Sequence, residues 1–270
     1  MRPRILLALP LVLLAGCVGN PNPAYYNPTI AADYQEFYDK GVTEKVAANA
    51  ALERARKADP ENAYTTFLQA SATAAEGDFE KSLSLLETGL AQKKTVIYVA
   101  TLPPNDPMTT LNRIRQLGFS TERAKDLGDR QPAFFSAVRQ TGERVAKAEP
   151  TTSLGVMNGV GVIRKSFQTE STYWNLKKDA AKKKAIDAKL AEFSKWSDTL
   201  SEKLAATLRN LMKDAAKEAG LTEEELASYA KGEPLKDKDK QAKADAAREK
   251  MYADEIASLV ENLKSMPEVR

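Results

Sequence analysis

Residues 179–219 contain neither glycine nor proline, and their apolar residues fall at Ile186, Leu190, Phe193, Leu200, Leu204, Leu208 and Leu211. Those intervals hold one apolar stripe along a helix, close to the heptad period. A helix of roughly forty residues runs ~60 Å, so the rest of the chain has to pack along or against it. Gly220 is placed to cap its end. Thr222 and Glu225 have the spacing of a capping box, which opens a short helix to about Lys231; Gly232 and Pro234 then end that helix. A last helix over residues 238–265 puts Ala242, Ala246, Tyr252, Ile256, Leu259 and Leu263 on one side. Two long amphipathic helices joined by a short connection are expected to pack antiparallel.

Composition agrees. Aromatics make up 7% of the 270 residues and charged residues 29%, while alanine is abundant and β-branched clusters are rare. This predicts an all-α fold.

The beginning of the chain is different in kind. Arg2 and Arg4 precede an apolar run over residues 5–14, interrupted only by Pro10. The run is too short for a bilayer, which needs ~20 residues, but fits the apolar region of a secretory signal. It ends in Leu14, Ala15, Gly16 and Cys17, which resembles the lipobox of bacterial lipoproteins. The resemblance implies a signal peptide at residues 1–16, cleavage before Cys17 and lipidation of its thiol. An ordinary cysteine behind a conventionally cleaved signal is the alternative. Val18, rather than aspartate, follows Cys17. Under enterobacteria-like sorting this implies the outer membrane, with the body facing the periplasm.

Cys17 is the single cysteine, so neither a disulfide framework nor a thiolate metal site is expected. The chain has no histidine. Imidazole is the commonest general base near neutral pH and the commonest metal ligand, so histidine-based triads and zinc sites are excluded. Carboxylate-only chemistry, as in glycoside hydrolysis, remains open, although Asp and Glu here lie mostly in mixed-charge helical stretches. The expectation is no enzyme, no cofactor and no metal. Removing Arg2 and Arg4 from the 40 basic residues leaves 38 against 37 acidic, a net of +1. Nothing in that balance argues for nucleic acid.

Residues 18–29 carry prolines and asparagines without periodicity, so residues 17–29 read as a tether. Tyr25 and Tyr26 would touch either the membrane interface or the body. From Ile30 to about Lys94 the pattern is helical, with segments at 43–58, 63–76 and 79–93 broken at Asp59-Pro60 and Gly77-Asp78. Here residues 43–94 resemble a tetratricopeptide repeat preceded by the second helix of another. Ala48, Leu52, Ala55 and Pro60 match the closing positions, and Asn62 and Ala63 open the next repeat. Gly77, Asp78 and Phe79 match its turn, while Ser82, Leu86 and Gly89 match the packing positions of its second helix. Thr66, Gln69 and Ala70 depart from the pattern, and the closing proline near Lys94 is missing. The resemblance implies stacked helical hairpins that offer a groove to peptides or partner helices.

Residues 95–100 read as a short strand, a buried extended segment or a helix end, and residues 101–107 as a loop. Helices are predicted at 108–117, 120–127 and 132–148. Gly155, Gly159 and Gly161 then sit among apolar residues; on a helix the first two share a face that permits close backbone approach. Lys177, Lys178, Lys182, Lys183 and Lys184 make a basic run, read as a solvated face or a contact with anionic headgroups. Arg113, Arg115, Arg139 and Arg164 are scattered through the centre.

The domain reading is a signal peptide (1–16), a tether (17–29), a tetratricopeptide-like helical domain (30–150) and a long helical hairpin (151–270). The functional expectation is a membrane-anchored, periplasm-facing scaffold or accessory factor of an envelope machine with an envelope protein as partner. A solute-binding or transporter-accessory lipoprotein is the first alternative, and a carboxylate-based cell-wall hydrolase the second.

Overall fold

The computed structural model describes residues 24–41, 43–100, 108–230 and 234–270. Cys17, the signal segment 1–16, tether residues 18–23, the loop 101–107 and Gly232 lie outside the described residues. The fold is all-α. In chain order the helices are α1 (Pro28–Lys40), α2 (Lys45–Ala58), α3 (Ala63–Ala75), α4 (Phe79–Ala91) and α5 (Met108–Ser120). A short 3₁₀ helix (Ala124–Arg130) leads into α6 (Gln131–Ala146), α7 (Ser153–Leu176), α8 (Ala180–Ala219), α9 (Glu223–Ala230) and α10 (Lys238–Lys264).

The helix starts are written locally. Asn27, Asn62, Asp78, Thr152, Asp179 and Asp237 each accept a backbone N–H of the first turn, satisfying donors that have no intrahelical acceptor. Thr222 and Glu225 exchange reciprocal bonds at 2.8 and 3.2 Å, the capping box expected from their spacing. Gly220 ends α8 in the left-handed region at φ 64°, where a side chain would be strained.

Helices α1 to α6 close one apolar core around Tyr64, Phe67, Leu68, Leu111, Phe134 and Phe135. Ala48, Leu52, Ala55 and Leu86 are buried in it, and Gly89 lies so close to the Phe67 ring that a β-carbon would meet its Cδ1 at 2.8 Å. The segment after α4 resolves to buried extended backbone. Val96, Ile97 and Val99 point inward, tied by single bridges from Val99 to Tyr26, Lys94 to Asn62 and Val96 to Glu149. The stretch read as the end of the tether is part of this arrangement. The Val99 N–H donates to the Tyr25 carbonyl at 3.1 Å, the Asn27 N–H to the Val99 carbonyl at 3.2 Å, and α1 begins at Pro28 rather than Ile30. Proline suits the first helical turn, so a residue that reads as a breaker here opens a helix.

A second core collects Val156, Ile163 and Phe167 of α7, Phe193, Leu200 and Leu204 of α8, and Leu259 and Leu263 of α10. Helices α8 and α10 are antiparallel, since Trp196 reaches Ser265, Lys203 reaches Asn262 and Lys250 reaches Glu218. Ile186, Phe193, Leu200 and Leu204 are buried as the stripe requires. At the start of α10, however, Ala244 and Ala247 face inward and Ala242 and Ala246 are exposed. There α10 meets Tyr229 of α9 and Ala219 of α8, and this third small cluster rotates the buried face. Helix α7 is shared between both main cores, because Val162 packs toward α5 and α6 while Phe167 meets Phe193 of α8.

Candidate functional site

Helix α5 has two faces. Leu111, Ile114 and Leu117 are buried against α3 and α7. Asn112, Arg115, Gln116 and Phe119 recur at helical spacing on the other side and, with Arg113, form one wall of a groove of about 670 Å³. Tyr38 and Asp39, in the last turn of α1, form the opposite wall. A slot of about 190 Å³ continues from it between α1, α2 and α3, sharing Arg113 and Gln116; the Lys45–Glu76 ion pair, at 3.3 Å, lies beside it.

Arg113 sits at the junction. Its guanidinium lies 5.9 Å from the Phe37 ring centroid and 5.6 Å from that of Tyr38, a favourable cation–π arrangement. Gly41 leaves room for it, since a β-carbon there would stand 3.1 Å from its terminal nitrogen. The Arg113 Nε is buried without a hydrogen-bond acceptor. Arg115, exposed beside it, holds no carboxylate among the described residues. Several other arginines do hold carboxylates: Arg54 pairs with Asp33 and Glu36, Arg56 with Glu53, Arg130 with Glu80, and Arg164 with Asp198, while Arg123 and Arg144 donate to backbone carbonyls. The groove's own carboxylate, Asp39, accepts from Gln35 Nε2 at 2.8 Å. At the far end Phe119 is 50% exposed, with Lys165 Nζ 5.4 Å from its ring centroid and paired with Glu122.

Of the four arginines noted in the sequence, the fold therefore brings Arg113 and Arg115 together and sends the other two elsewhere. Arg139 is buried, paired with Glu170, donating to the Val269 carbonyl at 2.7 Å and stacked 4.4 Å over the Phe167 ring. Arg164 joins α7 to α8 through Ser197 and Asp198. Tyr38, Asn112, Gln116 and Phe119 were not singled out from sequence. The spacing of Asn112, Gln116 and Phe119 opposite an apolar stripe was the available signal.

The basic run around residue 180 is partly neutralised. Lys182 lies 4.2 Å from the Trp174 ring centroid and near Asp179, Lys183 pairs with Asp187, and Lys177 stands 3.8 Å from Asp129. Among the described residues no group of three or more Asp, Glu, Cys or His is placed to hold a metal, and no helix is long and apolar enough to cross a membrane. The two buried glutamates serve separate contacts: Glu170 with Arg139 and the Trp174 indole, Glu255 with the Ser153 hydroxyl.

No protein-family model, characterised protein or solved structure matches the chain. The tetratricopeptide resemblance accordingly rests on the residues of segment 43–94, and the lipoprotein resemblance on those around Cys17.

Proposed function

We propose that this protein is a lipoprotein anchored through Cys17 to the outer membrane, whose helical body faces the periplasm and docks a protein of an envelope machine. The secretion, pilus, polysaccharide-export and cell-wall assemblies are the machines such an accessory would serve. The observation that supports the docking role best is the groove between α1 and α5, where Arg113 and Arg115 hold no carboxylate among the described residues and Phe119 is half-exposed beside them. Unspent donors next to an exposed aromatic are the chemistry of a protein-recognition surface. The anchor contributes by confining that surface to the membrane; more than one acyl chain makes attachment stable, at roughly 0.8 kcal/mol per buried methylene.

The test has two parts. Membrane fractionation should find the chain in the outer-membrane fraction, and Cys17→Ala should release it. Cross-linking in intact cells, followed by mild detergent extraction, should recover an envelope protein in near-stoichiometric amount. A chain that remains membrane-bound without Cys17, or that yields no envelope protein, would overturn the reading.

A further inference from the structure

We infer that the α1–α5 groove binds an acidic segment of the partner protein, with side-chain carboxylates on Arg113 and Arg115 and an apolar residue against Phe119. The inference rests on the docking role proposed above and specifies the chemistry of what docks.

Charge is the first argument. Two guanidinium groups and one carboxylate, Asp39, line the groove; Asp39 accepts from the neutral Gln35 amide and keeps its charge, so the lining carries one net positive charge. A buried guanidinium nitrogen without an acceptor carries a desolvation penalty, which an acceptor that reaches it offsets. Arg113 Nε is such a group. Its position is fixed by Phe37, Tyr38 and the space at Gly41, so little side-chain entropy is lost on binding. A planar carboxylate matches the fork that a guanidinium presents.

Length is the second argument. From Arg113 to Phe119 the helix rises ~9 Å at ~1.5 Å per residue. An extended peptide covers that span in about three residues. A free small dicarboxylate would satisfy the arginines but leave Phe119 uncovered. A peptide with an acidic pair and an apolar side chain about three residues further on meets both ends. Asn112 and Gln116, between the ends, can pair with its backbone.

The experiment uses the full chain purified in non-ionic detergent and a probe peptide, acetyl-GEESAFG-amide, carrying a fluorescent label. Anisotropy titrations compare it with GQQSAFG bearing the same label. The acidic peptide should bind saturably, and the Gln analogue at least about tenfold more weakly, as expected for loss of charge-assisted hydrogen bonds. R113Q/R115Q should weaken the acidic peptide by at least the same factor, and added salt should weaken it in the parent chain. If circular dichroism shows the double variant misfolded, R115Q alone, whose side chain is exposed, should give a several-fold loss. Equal binding of the two peptides, or undiminished binding to the folded variant, overturns the proposal. Glutarate binding as tightly as the peptide also overturns it, in favour of a small-carboxylate site.

The two readings fail separately. Peptide binding that follows this pattern supports the groove even if no envelope protein is recovered by cross-linking, in which case the scaffold reading falls. An envelope protein recovered equally with R113Q/R115Q removes the groove from the docking role and leaves the scaffold reading standing.

Discussion

Gly159 of α7 lies against the backbone of α6 at Gly142. A β-carbon on Gly159 would collide with the Gly142 carbonyl and come within 2.7 Å of the Ala146 nitrogen, while one on Gly142 would meet the Gly159 carbonyl at 2.8 Å. The two helices touch through their main chains at this point. Helix α7 belongs to both apolar cores, so this contact sets how the N-terminal helices meet the long hairpin. Gly159→Ala is therefore expected to destabilise the chain by about 1–3 kcal/mol through forced separation of the helices. Gly161, two residues away, has open space where its β-carbon would go. Gly161→Ala should stabilise by about 0.5–1 kcal/mol, the helical penalty of glycine. Urea unfolding of both variants decides; similar effects would mean that α6 and α7 do not meet as described.

That contact also marks what the sequence could convey. The GxxxG spacing placed Gly155 and Gly159 on one face and marked it for close approach, and Gly155 does point toward the Val145 carbonyl of the same helix α6. Spacing cannot name the partner, because Gly142 lies in another helix and carries no periodic signal there. Caps and stops were legible for the opposite reason: Asn62, Gly220 and the Thr222–Glu225 pair act within one turn of themselves. The groove was barely legible. Arg113 and Arg115 were noted only among four scattered arginines, and their meeting with Tyr38 depends on how α1 crosses α5, a tertiary relationship. The start of α10 misled, because alanine fits either side of a helix and the cluster of Ala219, Leu221, Tyr229 and Leu235 decides which side is buried.

Arg139 and Glu170 form an ion pair with side chains 3% and 7% exposed. Burial pushes the Arg139 guanidinium below its ordinary range, and the neighbouring Glu170 opposes that shift. Arg139 also holds the Val269 carbonyl, and Glu170 accepts the Trp174 indole N–H at 3.1 Å. Removing one partner leaves a buried charge uncompensated, so Arg139→Met and Glu170→Leu should each cost about 3–5 kcal/mol. The double variant Arg139→Met/Glu170→Leu should recover a large part of that loss. A double-mutant cycle by thermal unfolding measures this, and additive losses would count against coupling across the pair.

Asn62 is fully buried and uses both ends of its amide. Its Oδ1 accepts the Val96 N–H at 2.9 Å and the Tyr64 N–H at 3.1 Å, and its Nδ2 donates to the Val96 carbonyl at 2.8 Å. One side chain thus caps α3 and pairs with both backbone groups of Val96, beside the backbone bridges that the extended segment makes to Glu149 and Tyr26. Asn62→Ala strands the Val96 N–H and carbonyl in the core, at about 1–3 kcal/mol for each unsatisfied group. Asn62→Asp keeps the acceptors but loses the donor, and buries a charge. Hydrogen exchange should show the Val96 and Ile97 amides losing protection in both variants before global unfolding. Unchanged protection would show that the bridges to Glu149 suffice without Asn62.

Glu255 of α10 is 8% exposed and accepts the Ser153 hydroxyl at the start of α7. Burial raises its carboxyl above the ordinary carboxylate range. The native state therefore binds this proton more readily than the unfolded chain does. The linked stability is fully present below the ordinary carboxylate value and is lost as pH rises through the raised value of the folded state. Gln at this position keeps an acceptor for Ser153 and removes the charge that burial disfavours. The melting temperature of the parent should fall relative to that of Glu255→Gln as pH rises from the ordinary carboxylate value through the raised value of the folded state, because only the parent must bury an ionised carboxylate above it. Near pH 4 the two should converge, since the parent is then protonated as well. Ser153→Ala removes the hydroxyl that stabilises the ionised form, so it should steepen the parent's decline rather than flatten it. Parallel pH profiles for the parent and Glu255→Gln would show that Glu255 reaches solvent, and the α7–α10 contact would then have to be looser than the buried geometry implies.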